Sequence, residues 1–292
     1  MAGAPREGAG EGGSRRSTRR PPVLKKYGQH FLSDTRILEG IVDALAPTRA
    51  DTVVEIGPGR GSLTDILVER SGRLIAVEID RALTEQLRKK YLNRPNVEIV
   101  QGDVLETDLH ALAGSDFLLI GNVPYYITTP IVFKALDAPI PRRSVFLVQR
   151  EVAERMAAKE GTESYGALSV NVAVVANVER VMEVPASAFR PPPKVESAVV
   201  RLTPREWPLI RADSLEAFRA FVKAAFGLRR KQMQRVLRTV RGMSAENASA
   251  VLAGAKLDPG ARPEVLSPSE FARLFELLEA GKAKLPVGSS LL

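Results

Sequence analysis

The chain has 292 residues, with 42 Lys and Arg, 34 Asp and Glu, two His and no Cys, which gives a formal net charge of +8. The lack of cysteine excludes disulfides, thiolate nucleophiles and Cys-ligated zinc or iron–sulfur centres, and two distant histidines exclude a multi-histidine metal site. The length suits one large domain, or one medium domain with one small domain.

The net charge is divided unevenly along the chain. Residues 1–26 carry +5, residues 27–198 carry −4 and residues 199–292 carry +7. The first segment is rich in Gly, Arg, Ser and Pro, so we predict a disordered basic tail, either a solvated extension or a nonspecific phosphate-binding arm. It lacks the apolar stretch of a secretory signal. No run approaches 18 apolar residues, so we expect a cytoplasmic protein without membrane contact.

From residue 51 onward, short β-branched runs alternate with amphipathic stretches. This alternation predicts βαβ units and a parallel sheet with right-handed crossovers. Five runs are typical of buried strands: 52–56, 74–79, 97–100, 117–121 and 144–149. Three stretches between them have helical spacing: 63–70, 81–92 and 129–136.

The pattern changes in the second half of the chain. We predict a helix over 166–176, followed by two strands, 178–184 and 196–202, that pair antiparallel at the sheet edge. Beyond about Leu202 the sequence is typical of helices only, including 215–226 and 231–240. The predicted organisation is therefore a tail (1–26), an α/β domain (27–204) and a small helical domain (205–292).

The last predicted helix has signals at both ends. Ser267 to Glu270 forms a capping box with Pro268 at the first helical position. Gly281 is expected to end the helix as its C′ residue.

A glycine-rich turn follows the first predicted strand. It reads Glu55-Ile-Gly57-Pro-Gly59-Arg-Gly61, and its glycines would let the backbone approach a ligand that a Cβ would block. The spacing is G-x-G-x-G, whereas dinucleotide-binding proteins have G-x-G-x-x-G, which argues against an NAD-dependent dehydrogenase.

Acidic residues follow the next two strands. Glu78 could accept hydrogen bonds from both hydroxyls of a ribose, and Asp103 could accept one from an adenine amino group. Alone, either residue could be an ordinary strand-end or turn carboxylate. Because parallel strands present their carboxyl ends at one edge of the sheet, the three motifs together predict a nucleoside site.

The fourth strand is followed by Asn122-Val123-Pro124-Tyr125. The amino group of adenine is a poor nucleophile because its lone pair is conjugated with the ring. A site that transfers a group to it needs acceptors for both N–H bonds, and the Asn122 amide oxygen with a backbone carbonyl at Val123 or Pro124 could provide them. Pro124 fixes the turn, and Tyr125 offers a flat face to a base.

Further motifs accompany this one. They are Gln29 to Leu32, Glu78 to Asp80, Gln149 to Val152, Tyr165-Gly166, Phe189 to Val195 with Ser197, and Phe226 to Lys231. Together with the glycine turn, Asp103 and Asn122 to Tyr125, they resemble the KsgA-type ribosomal RNA adenine dimethylase family from about Tyr27 to Glu279. His30 and Val123 stand where that family more often has Asn and Leu or Ile.

The resemblance implies a Rossmann-like fold that uses S-adenosylmethionine and no metal, with a small helical C-terminal domain. His30 and Leu32 would line the cofactor's methionine end, and the backbone of Gly57 and Gly59 would contact the cofactor. On the cofactor side, Glu78 would bind the ribose, Asp103 would bind the adenine amino group and Val104 would pack on that ring. Asn122 and Tyr125 would hold the target adenine, and Phe189 would stack or edge on it. Asn122 would also contact the cofactor.

The implied activity is transfer of methyl groups to the N6 amines of two adjacent adenosines in a hairpin loop near the 3′ end of small-subunit (16S) rRNA. Two alternatives stay open. One is a large-subunit rRNA dimethylase of the antibiotic-resistance type, and the other is a non-catalytic nucleic-acid-binding relative. Nothing in the sequence demands more than a monomer.

The helical end carries a predicted RNA-binding cluster. No acidic residue interrupts residues 217–245, which favours phosphate contacts over a merely solvated helix face. Lys231, Arg235 and Arg238 are expected to share one helical face. The cluster comprises Arg229, Arg230, Lys231, Arg235 and Arg238, with Arg241 beyond it.

Overall fold

The computed structural model describes residues 31–283, so the predicted tail and His30 lie outside the described residues. The strands of this part are β1 (Phe31–Leu32), β2 (Thr52–Ile56), β3 (Arg73–Glu78), β4 (Val97–Gln101), β5 (Leu118–Asn122), β6 (Arg143–Gln149), β7 (Ala176–Val184), β8 (Phe189–Arg190) and β9 (Ser197–Pro204). The helices are α1 (Thr35–Leu45), α2 (Ser62–Arg70), α3 (Arg81–Lys90), α4 (Leu109–Ala113), α5 (Thr128–Ala135), α6 (Arg150–Ala157), α7 (Ala167–Ala173), α8 (Leu215–Gly227), α9 (Met233–Arg241), α10 (Ala245–Gly254) and α11 (Pro268–Ala283).

Seven strands form one sheet in the order β4-β3-β2-β5-β6-β9-β7. Strands β2 to β6 are parallel, as predicted, so their carboxyl ends meet at one edge. Strand β9 runs antiparallel to β6 and to the edge strand β7, which confirms the predicted pairing. The chain has the α/β class and a helical C-terminal part, and no helix between residues 31 and 283 is long and apolar enough to cross a membrane.

The predicted strands of the parallel sheet agree with the structure to within one residue at each end. The predicted capping box of α11 is also confirmed, because the Glu270 N–H donates to Ser267 Oγ at 3.3 Å and the Ser267 N–H donates to Glu270 Oε2 at 2.8 Å. The predicted stop at Gly281 is wrong. Gly281 has no left-handed backbone and the helix continues to Ala283.

Two further expectations about helices are corrected. The helix predicted over 166–176 ends at Ala173, because the chain turns into β7 at Ala176. Lys231 does not lie on a helix, because Gln232 is an extended N-cap and α9 begins only at Met233.

Some helices and strands of the structure were not predicted from the sequence. Helix α1 begins after Asp34, whose Oδ1 accepts a hydrogen bond from the Arg36 N–H at 3.0 Å, and it buries Ile41 and Leu45 completely. The short strand β1 pairs antiparallel with β8, far away in the sequence.

Apolar residues on one face of the sheet form a continuous cluster with those of the helical part. Phe218 of α8 and Phe275 of α11 meet edge to face with ring centroids 5.4 Å apart inside this cluster. Arg219 of α8 also crosses to α5, where its guanidinium lies over the Phe133 ring and pairs with Asp137 at 2.6 Å. The boundary placed at residue 204 stays a prediction.

Candidate functional site

A cavity of about 240 Å³ opens at the carboxyl edge of the parallel strands. The glycine turn after β2, the ends of β3 and β5, and the turn after β4 all contribute to its wall. Its lining includes most of the residues expected to form the site: Leu32, Gly57, Gly59, Glu78, Asp103, Val104, Asn122 and Tyr125.

The glycine turn adopts a backbone that other residues rarely adopt. Gly57, Gly59 and Gly61 have φ angles of +64°, +60° and +83°, all in the left-handed region. A Cβ on Gly61 would lie 2.7 Å from Tyr91 Oη, and one on Gly59 would lie 3.1 Å from the Phe31 ring. The glycines therefore allow both the turn and its close packing at the cavity wall.

Glu78 lies at the end of β3 with only 4% of its surface exposed. Its Oε2 accepts a hydrogen bond from the Gly59 N–H at 3.0 Å, and its Oε1 accepts one from the Asp80 N–H at 2.9 Å. Burial raises the pKa of this carboxyl against these hydrogen bonds. Each oxygen can accept a second hydrogen bond, which fits the two hydroxyls of a ribose.

Asp103 follows β4 and has one oxygen available. Its Oδ1 accepts a hydrogen bond from the Leu105 N–H at 2.9 Å, whereas its Oδ2 has no hydrogen-bond partner among residues 31–283. Val104 is 6% exposed beside it, and Ile79 lines the cavity with 45% of its surface exposed. A carboxylate acceptor between apolar side chains fits an adenine and its amino group.

Glu55 also lines the cavity. It was not predicted as a site residue, because only the glycines of its motif were interpreted as ligand contacts. It is 1% exposed, and Thr64 Oγ1 donates a 2.7 Å hydrogen bond to its Oε2. Burial raises the pKa of Glu55 to about 8. This carboxyl is therefore largely protonated at neutral pH.

Asn122 and Tyr125 form the part of the cavity wall that follows β5. Asn122 is the last residue of β5, and Pro124 precedes a 3₁₀ turn over Tyr125–Ile127. The Tyr125 hydroxyl and Ser197 Oγ are 2.6 Å apart, which fixes the orientation of the tyrosine. Burial raises the pKa of Tyr125, so the phenol stays neutral at physiological pH.

Phe189 does not line the cavity. Its side chain is fully buried, with 0% exposed, in a cluster that also contains Leu32 and Val199, and it is absent from the cavity wall. The cavity wall thus unites Asn122 and Tyr125 without Phe189, although Leu32, which pairs with Phe189 across β1 and β8, does line the cavity. A ring without exposed surface offers no face to a base in this conformation.

The predicted RNA-binding residues divide into two groups. Arg229 pairs with Glu264 at 3.0 Å, and Arg241 pairs with Glu279 at 3.1 Å, so the charges of both are already paired with carboxylates of the helical part. Four cations are exposed and form no ion pair with a described carboxylate, although Arg238 has Glu246 in its neighbourhood. We name these four the exposed basic cluster: Arg230, Lys231, Arg235 and Arg238.

The chain is similar to known rRNA methyltransferases along most of its length. It is 41% identical to the ribosomal RNA small subunit methyltransferase A of Geobacter metallireducens over 262 residues, covering 88% of this chain and 95% of the relative. The Alkaliphilus oremlandii protein of that name is also 41% identical, over 86% of this chain and 90% of its own.

Solved structures of rRNA-modifying enzymes are also similar to this chain. A dimethyladenosine transferase from Plasmodium falciparum matches with a TM-score of 0.73 and 26% identity, covering 86% of this chain and 98% of its own. The 23S rRNA methyltransferase ErmE matches with a TM-score of 0.65 and 31% identity, covering 85% and 99%. Residues 23–280 match the family described as ribosomal RNA adenine dimethylase, and the chain belongs to that family.

Proposed function

We propose that this chain is an S-adenosylmethionine-dependent methyltransferase that converts two adjacent adenosines, in a hairpin loop near the 3′ end of small-subunit rRNA, to N6,N6-dimethyladenosine. The main support for this activity is the composition of the cavity wall. A single cavity unites nucleoside-binding groups at three strand ends with Asn122 and Tyr125. The small-subunit methyltransferases of similar sequence support this substrate.

The cavity fits the adenosine part of the cofactor. Glu78 accepts hydrogen bonds from the ribose hydroxyls, and the open Oδ2 of Asp103 accepts one from the adenine amino group. The bare backbone of Gly57 and Gly59 admits close approach. Leu32 and Val104 add apolar contact, and His30 remains a predicted contact at the methionine end. When bound, S-adenosylmethionine supplies a methyl group activated by the sulfonium charge.

Asn122 and Tyr125 act on the target base. The Asn122 amide oxygen and a backbone carbonyl of the following turn accept hydrogen bonds from the two N–H groups of the adenine amine. These acceptors favour a pyramidal nitrogen whose lone pair can react, so no strong base is needed. The neutral Tyr125, held by Ser197, provides a fixed face for the ring. Alignment and exclusion of water then supply much of the rate.

The exposed basic cluster binds the RNA, because its solvent-exposed cations can contact phosphates. The target adenine must leave its stack, which costs least in an unpaired loop. We propose further that the chain acts as a monomer in the cytoplasm.

The proposal is tested by incubating the purified chain with labelled cofactor and small ribosomal subunits that lack the modification. RNA digestion and nucleoside analysis should yield N6,N6-dimethyladenosine, and mapping should place it at two adjacent positions. Subunits that already carry the modification and the Asn122→Ala variant serve as controls that take up no label. Label in large subunits instead would assign the chain to the ErmE-like activity, and no label in either subunit would refute the proposal.

A further inference from the structure

We propose that Tyr126 is a base-stacking residue that holds the second adenosine of the target pair while the first occupies the cavity. The inference rests on the proposed function and extends it. Tyr126 follows Tyr125 directly and lines the same cavity, yet 62% of its surface is exposed. Neither the fold nor the capture of a single adenine accounts for such a ring at the cavity mouth.

The geometry of the turn separates the two tyrosines. A 3₁₀ helix has three residues per turn, so neighbouring side chains point about 120° apart. Tyr125 therefore reaches inward to Ser197, at 2.6 Å, while Tyr126 projects from the wall into solvent. One ring can face a base inside the cavity and the other a base outside it.

The backbone that carries Tyr126 is held on both sides. The Ile127 N–H donates to the Pro124 carbonyl at 3.1 Å, and Thr128 Oγ1 donates to the same carbonyl at 3.3 Å. Thr128 is 1% exposed and begins α5, which anchors the turn in the core. Because the turn is ordered before RNA arrives, stacking on Tyr126 costs little conformational entropy.

The neighbouring adenosine of the substrate provides a base on which Tyr126 can stack. When one of two adjacent adenines is extruded, its neighbour loses a stacking surface. An exposed tyrosine replaces that surface, because aromatic side chains stack on any base. Because the strand enters with a fixed polarity, the neighbouring adenosine lies 3′ of one target and 5′ of the other. Tyr126 lies on one side of the cavity, so it stacks on the neighbour of only one of the two targets.

The test compares Tyr126→Ala, Tyr126→Leu and Tyr126→Phe on small subunits that lack the modification. Loss of base stacking should lower kcat/KM by about 5- to 150-fold in Tyr126→Ala and Tyr126→Leu, through a higher KM for subunits. Tyr126→Phe keeps the flat ring and should stay within about twofold of wild type. Cofactor affinity should not change in any variant. Mapping should show unequal methylation of the two adenosines in the Ala and Leu variants.

Trp207→Ala is the matched control, because Trp207 is an exposed aromatic, 80% accessible, that does not line the cavity. It should behave as wild type. The inference is overturned if Tyr126→Ala methylates both adenosines at the wild-type rate, if Leu restores activity as well as Phe does, or if cofactor affinity falls in parallel. Failure of wild-type protein to methylate the subunits would instead refute the proposed function.

Discussion

The cavity wall and the exposed basic cluster differ in both burial and charge. Glu55 and Glu78 of the cavity are 1% and 4% exposed, whereas all four cations of the exposed basic cluster face solvent. Residues 27–198 carry a net charge of −4 and residues 199–292 carry +7. In the proposed function, the acidic region contains the binding site for a cationic cofactor and a neutral base, and the basic region binds a polyanion.

The difference indicates a division of labour. Reaction at a neutral amine depends on the placement of acceptors at short range, which requires a rigid, buried wall. Capture of RNA depends on long-range attraction by mobile surface cations and is screened by salt. Changes in one region should therefore affect catalysis, and changes in the other should affect affinity.

The largest expected effect follows from Asn122→Ala. Loss of the amide acceptor should lower the methyl-transfer rate by about 10³-fold, because a positioned hydrogen-bonding group at a reacting centre contributes about that much. Cofactor affinity, measured by calorimetry, should stay within a few-fold. Asn247→Ala, an exposed asparagine of α10, is the control and should be fully active. Full turnover by the Asn122 variant would contradict its assigned role.

Replacing all four residues of the exposed basic cluster by Gln should weaken RNA binding by roughly two orders of magnitude at 0.1 M salt and reduce the slope of log affinity against log salt by about 3. Binding titrations at several salt concentrations measure both. The control replaces four cations near the β3–β4 side that already pair with carboxylates: Arg49, Arg70, Arg73 and Arg94. An unchanged slope in the cluster variant would place the RNA elsewhere.

Glu78→Gln should weaken cofactor binding by about 10- to 100-fold, because hydrogen bonds to a charged acceptor are worth about 1.5–3 kcal/mol. RNA affinity should be unaffected. Glu85→Gln is the matched control, since Glu85 is an exposed residue of α3 that pairs with Arg81 and with no other cation between residues 31 and 283. Equal losses in the two variants would argue against a ribose contact at Glu78.

Glu55 predicts a dependence of stability on pH. Its pKa of about 8 in the folded protein lies above the ordinary value of 4.5, so unfolding releases a proton between these values. The contribution of Glu55 to the free energy of unfolding should fall by up to about 1.4 kcal/mol per pH unit as pH rises through this window. Urea denaturation of wild type and Glu55→Gln at several pH values isolates the effect. Exposed Glu39→Gln should keep the wild-type slope, and a Glu55→Gln slope equal to wild type would contradict the assignment.

The sequence predicted those features that depend on short-range pattern. Strand β2 was predicted to the residue, because a β-branched run between an Asp and a glycine turn leaves few alternatives. The strand-end residues Glu78, Asp103 and Asn122 were predicted to meet, because parallel strands align their carboxyl ends. All three line the same cavity.

Features that depend on distant partners were not predictable. Phe189 is buried where β8 pairs with β1, a strand that is distant in the sequence, so no local sequence pattern predicts this burial. Arg229 and Arg241 belong to the basic run in the sequence, yet Glu264 and Glu279 pair with them in space. Tyr126 belonged to no predicted element, because the next predicted helix began at residue 129, and its exposure depends on the 3₁₀ turn over Tyr125–Ile127.

The division of labour is tested most directly by measuring, for the Asn122→Ala variant and for the cluster variant, the single-turnover methylation rate at saturating subunits together with the affinity for subunits. We predict that the Asn122 variant loses the rate and keeps the affinity, whereas the cluster variant loses the affinity and keeps the rate. Parallel losses of rate and affinity in both variants would contradict the account.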